Sequence, residues 1–218
     1  LSLGYNGYYQ LGNGTNSPKY IPTQVINESG EAVTDAKHIS AGGDATYISR
    51  NKDVDGLTDI NVGKLINNKK CLVSCTPQGI IKLLEESGVS IPGKNVVIVG
   101  RSKLVGKPLI SLFLNNDATV TVCHSKTNNL KEFTKNADIL VVAVGKKHLI
   151  TEDMVKKDSV VIDVGINRID GKLYGDVDYE NVKNKVSLIT PVPGGVGPMT
   201  VAMLLCNVNT VYKNLNNK

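Results

Sequence analysis

Residues Gly100 to Pro108 read GRSKLVGKP and follow a short apolar run. Glycines placed after a strand let the backbone approach a pyrophosphate at the start of a helix, and the usual dinucleotide spacing is G-x-G-x-x-G. Here the spacing is G-x-S-x-x-x-G, with Ser102 at the second glycine position and Gly106 one residue late. A plain strand–helix turn has the same look, so the loop alone leaves two readings open. The end of the next strand adds to it. Folds that bind NAD usually place an acid there, about 20 residues on, to hold the ribose hydroxyls. This chain has CHSKT, Cys123 to Thr127, with no acid. Arg101, Ser125 and Lys126 instead offer donors and positive charge, which suits a 2′-phosphate and therefore NADP. Lys126 also fits a solvated surface position; Arg101 fits that reading less well. His124 reads as a structural or cofactor-edge residue rather than a catalytic one.

A second stretch, Thr190 to Thr200, reads TPVPGGVGPMT. Its three prolines and three glycines make a stiff, sharply turned backbone with little side-chain bulk. It stands between a short strand and a helix. Ligands of open α/β sheets bind beyond the carboxyl ends of the strands, so this turn is where one would lie. A purely structural turn is the alternative.

The elements that must position these loops show an α/β rhythm. Short β-branched runs occur at Asn95–Gly100, Thr119–Cys123, Ile139–Val144 and Val160–Val164, with a weaker one at Val186–Ile189. Continuous apolar character predicts strands buried on both faces of a parallel sheet. TPQGIIKLLEESG (Thr76–Gly88) has the pattern of a helix, with Thr76 as N-cap, Pro77 at the first helical position, apolar spacing through Ile80, Leu83 and Leu84, and Gly88 as terminator. A final helix is expected over Thr200–Asn214. The fold class is α/β: a Rossmann-like parallel sheet with flanking helices, preceded by a small β-rich N-terminal segment.

Composition narrows the function classes. At 218 residues the chain is long enough for a sizeable core. With 41% hydrophobic and 21% charged residues it reads as a soluble globular protein. No apolar run is long enough to span a membrane, and no basic-then-apolar leader opens the chain. Cys71, Cys75, Cys123 and Cys206 form no C-x-x-C pair, and the three histidines lack ligand spacing. Reduced thiols in a cytoplasmic protein, and no metal site, are expected. The net charge of +5 comes from scattered lysines, which can draw in an anionic ligand without calling for nucleic acid. No nucleic-acid or membrane partner is expected.

Taken together, the motifs resemble the bifunctional methylenetetrahydrofolate dehydrogenase/cyclohydrolase (FolD-type) family. The matching stretches are KDVDGLTDINVGKL (Lys52–Leu65), CTPQGI (Cys75–Ile80), VVIVGRSKLVGKPL (Val96–Leu109), ATVTVCHSKT (Ala118–Thr127), ADILVVAVGK (Ala137–Lys146), VVIDVGIN (Val160–Asn167), GDVDY (Gly175–Tyr179) and TPVPGGVGPMTVAML (Thr190–Leu204). They stand in family order and spacing over residues 50–218. The resemblance implies a two-domain enzyme with a cleft between the domains. It implies oxidation of the one-carbon bridge of methylenetetrahydrofolate by NADP⁺, then hydrolysis of the methenyl product. Gly100, Arg101, Ser102, Val105, Ser125 and Ile166 correspond to cofactor contacts. Asp55 corresponds to the catalytic-site carboxylate that holds the pterin ring. Pro191, Val192, Pro193, Gly194, Gly195, Val196, Gly197, Pro198 and Met199 correspond to the folate wall. A homodimer is implied in the same way. The physics agrees: a carboxylate can make a paired, charge-assisted contact with an aminopyrimidine ring, and a bare loop lets two ligands approach for hydride transfer.

The family's N-terminal half normally supplies a Y-x-x-x-K helix and a V-Q-L-P strand end, the lysine being the main general acid/base. Residues 1–50 hold neither. Tyr5, Tyr8, Tyr9, Tyr20 and Tyr47 have no lysine four places on, and the Y-x-x-x-K at Tyr179–Lys183 reads as coincidence. Residues 1–49 instead resemble one repeat of the regulator-of-chromosome-condensation family, carried by LGYNGYYQLGNGT (Leu3–Thr15), PTQVI (Pro22–Ile26) and AKHISAGGDATY (Ala36–Tyr47). Such repeats are β-propeller blades, and one blade cannot close a propeller of about 4–8. The expected organisation is a blade-like segment at 1–49, a remnant of the folate-binding domain at 50–75, an NADP-binding Rossmann domain at 76–199 and a C-terminal helix at 200–218. Three functions follow: an enzyme of the family, an inactive NADP-binding chimera, or a repeat-type interaction module.

Overall fold

The computed structural model describes residues 2–4, 19–23, 38–42, 45–49 and 53–216. The chain forms two compact units, Leu1–Val54 and Asp55–Lys218. In the first, β1 (Ser2–Gly4) pairs antiparallel with β2 (Lys19–Thr23), and β3 (His38–Gly42) with β4 (Ala45–Ser49). Most of LGYNGYYQLGNGT, with Tyr5, Tyr8 and Tyr9, lies outside the described residues, as do residues 24–26, 36–37, 43–44 and 50–52.

The second unit opens with α1 (Asp59–Ile66), capped by Thr58, whose side chain accepts from the Asn61 amide at 3.4 Å. Next comes α2 (Cys75–Glu86). It starts one residue before the expected Thr76, and its N-cap position is Ser74. Pro77 sits in the first turn, where its missing N–H has no intrahelical partner to lose. The Ser74 hydroxyl donates to the Leu104 carbonyl at 2.8 Å. Gly88 does end the helix region: its amide reaches Glu85 O and that of Val89 reaches Leu84 O, the paired bonds of a Schellman stop.

Five parallel strands follow: β5 (Asn95–Val99), β6 (Thr119–Cys123), β7 (Ile139–Val142), β8 (Val160–Asp163) and, after two further short strands, an edge strand at Leu188–Ile189. Between them lie α3 (Gly106–Asn115) and α4 (Leu130–Thr134). The two short strands, β9 (Asn167–Ile169) and β10 (Lys172–Tyr174), form an antiparallel hairpin. Its two-residue turn has positive φ at Asp170 (49°) and Gly171 (75°), as an Asp-Gly hairpin turn requires. After α5 (Tyr179–Val182) comes the edge strand, β11 (Leu188–Ile189). The order across the sheet is β11-β8-β7-β5-β6, so the chain reverses direction of progress between β5 and β7.

Alternation along the strands builds two cores. Val96 and Ile98 of β5, with Ile139, Val141, Val160 and Ile162, face Ile80, Leu84, Leu109 and Phe113 of α2 and α3. Val97 and Val99, with Leu140, Val142 and Val161, face Ile150, Val155, Val177 and Val182 on the opposite side. Burial on both faces is why these strands read as continuous apolar runs.

The last helix, α6 (Val196–Asn216), begins four residues before the expected Thr200. Gly197 and Pro198 fall in its first turn, where proline is tolerated. It packs along α2: Thr76 Oγ1 and Thr200 Oγ1 are 2.9 Å apart, and the buried Asn207 donates to the Val73 carbonyl at 3.0 Å. Among the described residues no helix is long and apolar enough to cross a membrane.

Candidate functional site: a crevice at the carboxyl ends of the parallel strands

The reversal between β5 and β7 opens a crevice at their carboxyl ends, the position at which doubly wound sheets bind ligands. Gly100 leaves β5 with φ +128°, and a methyl group there would run into the Ala143 carbonyl oxygen after β7. Only a residue without a Cβ fits both the backbone conformation and the close approach.

Ser102 stands where the usual fingerprint has its second glycine. Its hydroxyl oxygen accepts from the amides of Val105 (3.1 Å) and Gly106 (3.4 Å), and its carbonyl accepts from Lys107 at 3.0 Å. With Pro108 lacking an N–H, the first-turn donors of α3 are engaged by the protein itself. The sequence pattern predicts that these amides turn toward a pyrophosphate. In the structure the Val105 and Gly106 amides close the loop on Ser102 instead. Arg101, Ser125 and Lys126 are exposed. Beside them the His124 ring accepts the Lys126 amide at Nδ1 (3.2 Å), and the His124 amide donates to Thr127 Oγ1 (2.9 Å). His124 therefore shapes the turn after β6.

A cleft of about 440 Å³ lies alongside. It is lined by Val105 before α3, Asp163 to Ile166 from the end of β8, Leu173 of the hairpin, the turn Pro191 to Pro198, and Thr76 and Thr200. This volume falls in the range of small-molecule sites. The cleft gathers Val105, Ile166 and Pro191 through Pro198 from the residues singled out in the sequence. Met199 lies instead on a second, apolar hollow of about 330 Å³ on the other side of the same turn. Ile166 is 64% exposed.

Asp55 is not among the residues lining the cleft. It is half-buried, in a turn whose Gly56 packs against the backbone of Leu72 to Ser74, just ahead of α2. Tyr179 and Lys183 also lie away from the cleft: just after α5 the Lys183 ammonium pairs with Glu180 and sits 5.8 Å from the Tyr179 ring centre.

Two further residues have a bearing on the site and were not assigned from sequence. Asp163 ends β8 and Asp176 follows the hairpin; both are buried. Burial pushes the Asp163 carboxyl up to about 6, against three amides that hold its ionised form, and the neighbouring Asp176 charge adds to the rise. Thr190 clamps the same strand end, its hydroxyl accepting from Asp163 N (2.8 Å) and donating to Asp163 O (3.2 Å). An acid that ends an apolar strand, two residues before a glycine, was the available signal. Leu173 had one too, the Asp-Gly turn of its hairpin.

Residues 74–216 match the family model for the tetrahydrofolate dehydrogenase/cyclohydrolase NAD(P)-binding domain. The chain belongs to the tetrahydrofolate dehydrogenase/cyclohydrolase (FolD) family. It is 62% identical over 164 residues to the bifunctional protein FolD of a Sulfurihydrogenibium species, covering 74% of this chain and 58% of that protein. The crystal structure of the FolD methylenetetrahydrofolate dehydrogenase/cyclohydrolase from Campylobacter jejuni superposes with a TM-score of 0.75 at 50% identity, over 77% of this chain and 60% of that one. The Trypanosoma brucei FolD complexed with NADP cofactor and inhibitor gives 0.74 at 40% identity, over 78% and 61%. The chain thus spans about three fifths of the length of these FolD relatives. Residues 1–48 match a different model, the regulator of chromosome condensation (RCC1) repeat.

Proposed function

We propose that this chain binds NADP in the crevice and presents it to a tetrahydrofolate derivative, as the dehydrogenase half of the reaction of a methylenetetrahydrofolate dehydrogenase/methenyltetrahydrofolate cyclohydrolase. The observation that carries the reading is the crevice between β5 and β7, where the backbone of Gly100 meets that of Ala143 beside a cleft of ligand size. Bound NADP⁺ would supply the hydride acceptor for the one-carbon bridge. Arg101, Ser102 and Ser125 hold the phosphates, the first as a charge that a 2′-phosphate answers and NAD does not. Val105 and Ile166 cover the apolar face of the nicotinamide. The side-chain-poor wall, Pro191 to Met199, lets the folate bridge come within reach, and Asp55 accepts paired N–H donors of the pterin ring.

One observation favours a further restriction. Residues 1–48 match the RCC1 repeat, and this sequence has no Y-x-x-x-K besides Tyr179–Lys183. Loss of a positioned acid/base typically lowers a rate by about 10²–10⁴. The second reading is therefore an NADP-binding chimera with little hydrolysis of the methenyl product. A homodimer and a cytoplasmic setting belong to the same proposal; the family resemblance supports both, and the four free thiols support the setting. The test is a titration with NADP⁺ and NAD⁺ together with an assay of methenyltetrahydrofolate hydrolysis. Tighter binding of NADP⁺ with slow hydrolysis is expected. No binding of either nucleotide sinks the proposal, and brisk hydrolysis sinks the restriction.

A further inference from the structure

Burying a carboxylate without compensation is costly, and this unit buries two back to back. Asp176 is fully buried. Its carboxylate accepts from three successive amides, Val144 (2.7 Å), Gly145 (3.0 Å) and Lys146 (2.7 Å), and from Asn167 Nδ2 (3.0 Å). Successive amides turned to one point form an anion-binding concavity. Here the anion is the protein's own side chain. Asp163 in turn accepts from Gly165 (3.0 Å), Asp176 (2.9 Å) and Val177 (2.9 Å). The two motifs interlock: a Cβ at Gly165 would run into the Asp176 carboxylate, and one at Gly175 into that of Asp163.

The amides gripped by Asp176 begin immediately after Ala143, whose carbonyl packs under Gly100. The turn gripped by Asp163 leads through Val164 and Gly165 into the cleft wall at Ile166. Both borders of the crevice are therefore referenced to one buried pair. We propose that Asp176, braced by Asp163, is a positioning residue that sets the dinucleotide affinity of the crevice by holding the loop 144–146 against the β5 turn. This rests on the reading that the crevice binds NADP.

The experiment measures the NADP⁺ dissociation constant and amide hydrogen exchange across residues 143–148. It compares the unaltered chain, Asp176→Asn, Asn167→Ala and a control, Val155→Ala, which opens a cavity in the same core. The Asp176→Asn change sets an NH₂ group against backbone donors. It should weaken NADP⁺ binding about tenfold or more and speed exchange of the loop amides. Asn167→Ala, which removes one of the four donors, should weaken it about threefold in the same direction. Val155→Ala should destabilise the fold and leave both readouts unchanged. Should Asp176→Asn fail to fold, Asn167→Ala decides. Unchanged affinity in the aspartate and asparagine variants, or an equal loss in the control, overturns the inference. An unaltered chain that binds no NADP⁺ overturns the proposed function and this inference with it.

Discussion

Protonating Asp163 should strengthen the fold. Its carboxyl titrates at 3.8 when unperturbed and at about 6 in the folded chain, with burial as the largest cause. The folded state therefore binds the proton more tightly than the unfolded one. Stability from this group is gained as pH falls from about 6 toward 4, and lost as pH rises through the same window. A difference of about two units, at roughly 1.4 kcal/mol each, makes about 3 kcal/mol. Asp163→Asn removes the titration. The variant also disturbs the bonds from Gly165, Asp176 and Val177, but that effect is nearly the same at every pH. Asp153, held down to about 2 by its hydrogen bond to Lys131, slopes the other way and is common to both proteins. Urea unfolding of both chains from about pH 8 to about pH 3, a range that spans both titrations, is the assay. Relative to Asp163→Asn, the unaltered chain should gain about 3 kcal/mol from the neutral to the acid end. Parallel stability curves would refute the reasoning.

Arg101→Ala should weaken NADP⁺ binding about tenfold or more, the worth of a charge-assisted bond, and leave NAD⁺ affinity unchanged. Equal losses for the two cofactors would break the assignment of Arg101 to the 2′-phosphate. Gly100→Ala combines a φ of +128° with a collision against the Ala143 carbonyl. It should destabilise the chain by about 2 kcal/mol or more and weaken nucleotide binding, read by thermal unfolding and titration. An unshifted melting temperature counts against the close approach.

The sheet was legible because its central strands, β5, β7 and β8, are buried on both faces, and because the partly buried β6 is β-branched from Thr119 to Val122. β6 matches the expected Thr119–Cys123 at both ends, and β5, β7 and β8 end within two residues of theirs. What was less legible depends on partners far along the chain. Ser74 rather than Thr76 stands at the N-cap position of α2, yet its hydroxyl goes to the Leu104 carbonyl, 30 residues away, instead of capping the helix, while Thr76 meets Thr200. The glycine-proline content of residues 194–198 reads as a turn, although its second half is helical. At the site, the loop motifs announced the crevice. The role of Ser102 as a loop closer, and the Asp163–Asp176 pair beneath, depend on which amides face which oxygens. Residue types alone do not carry that.

The pairing of α2 with α6 has a consequence for how such a unit can be used. Asn207 of the final helix reaches back to Val73, ahead of the first helix of the sheet layer, and Thr200 meets Thr76. The way in and the way out of the sheet are thus moored side by side. A body moored in this manner is portable. It can be spliced to a new neighbour at that side without re-threading any strand, and the crevice at the ends of β5 and β7 travels with it intact.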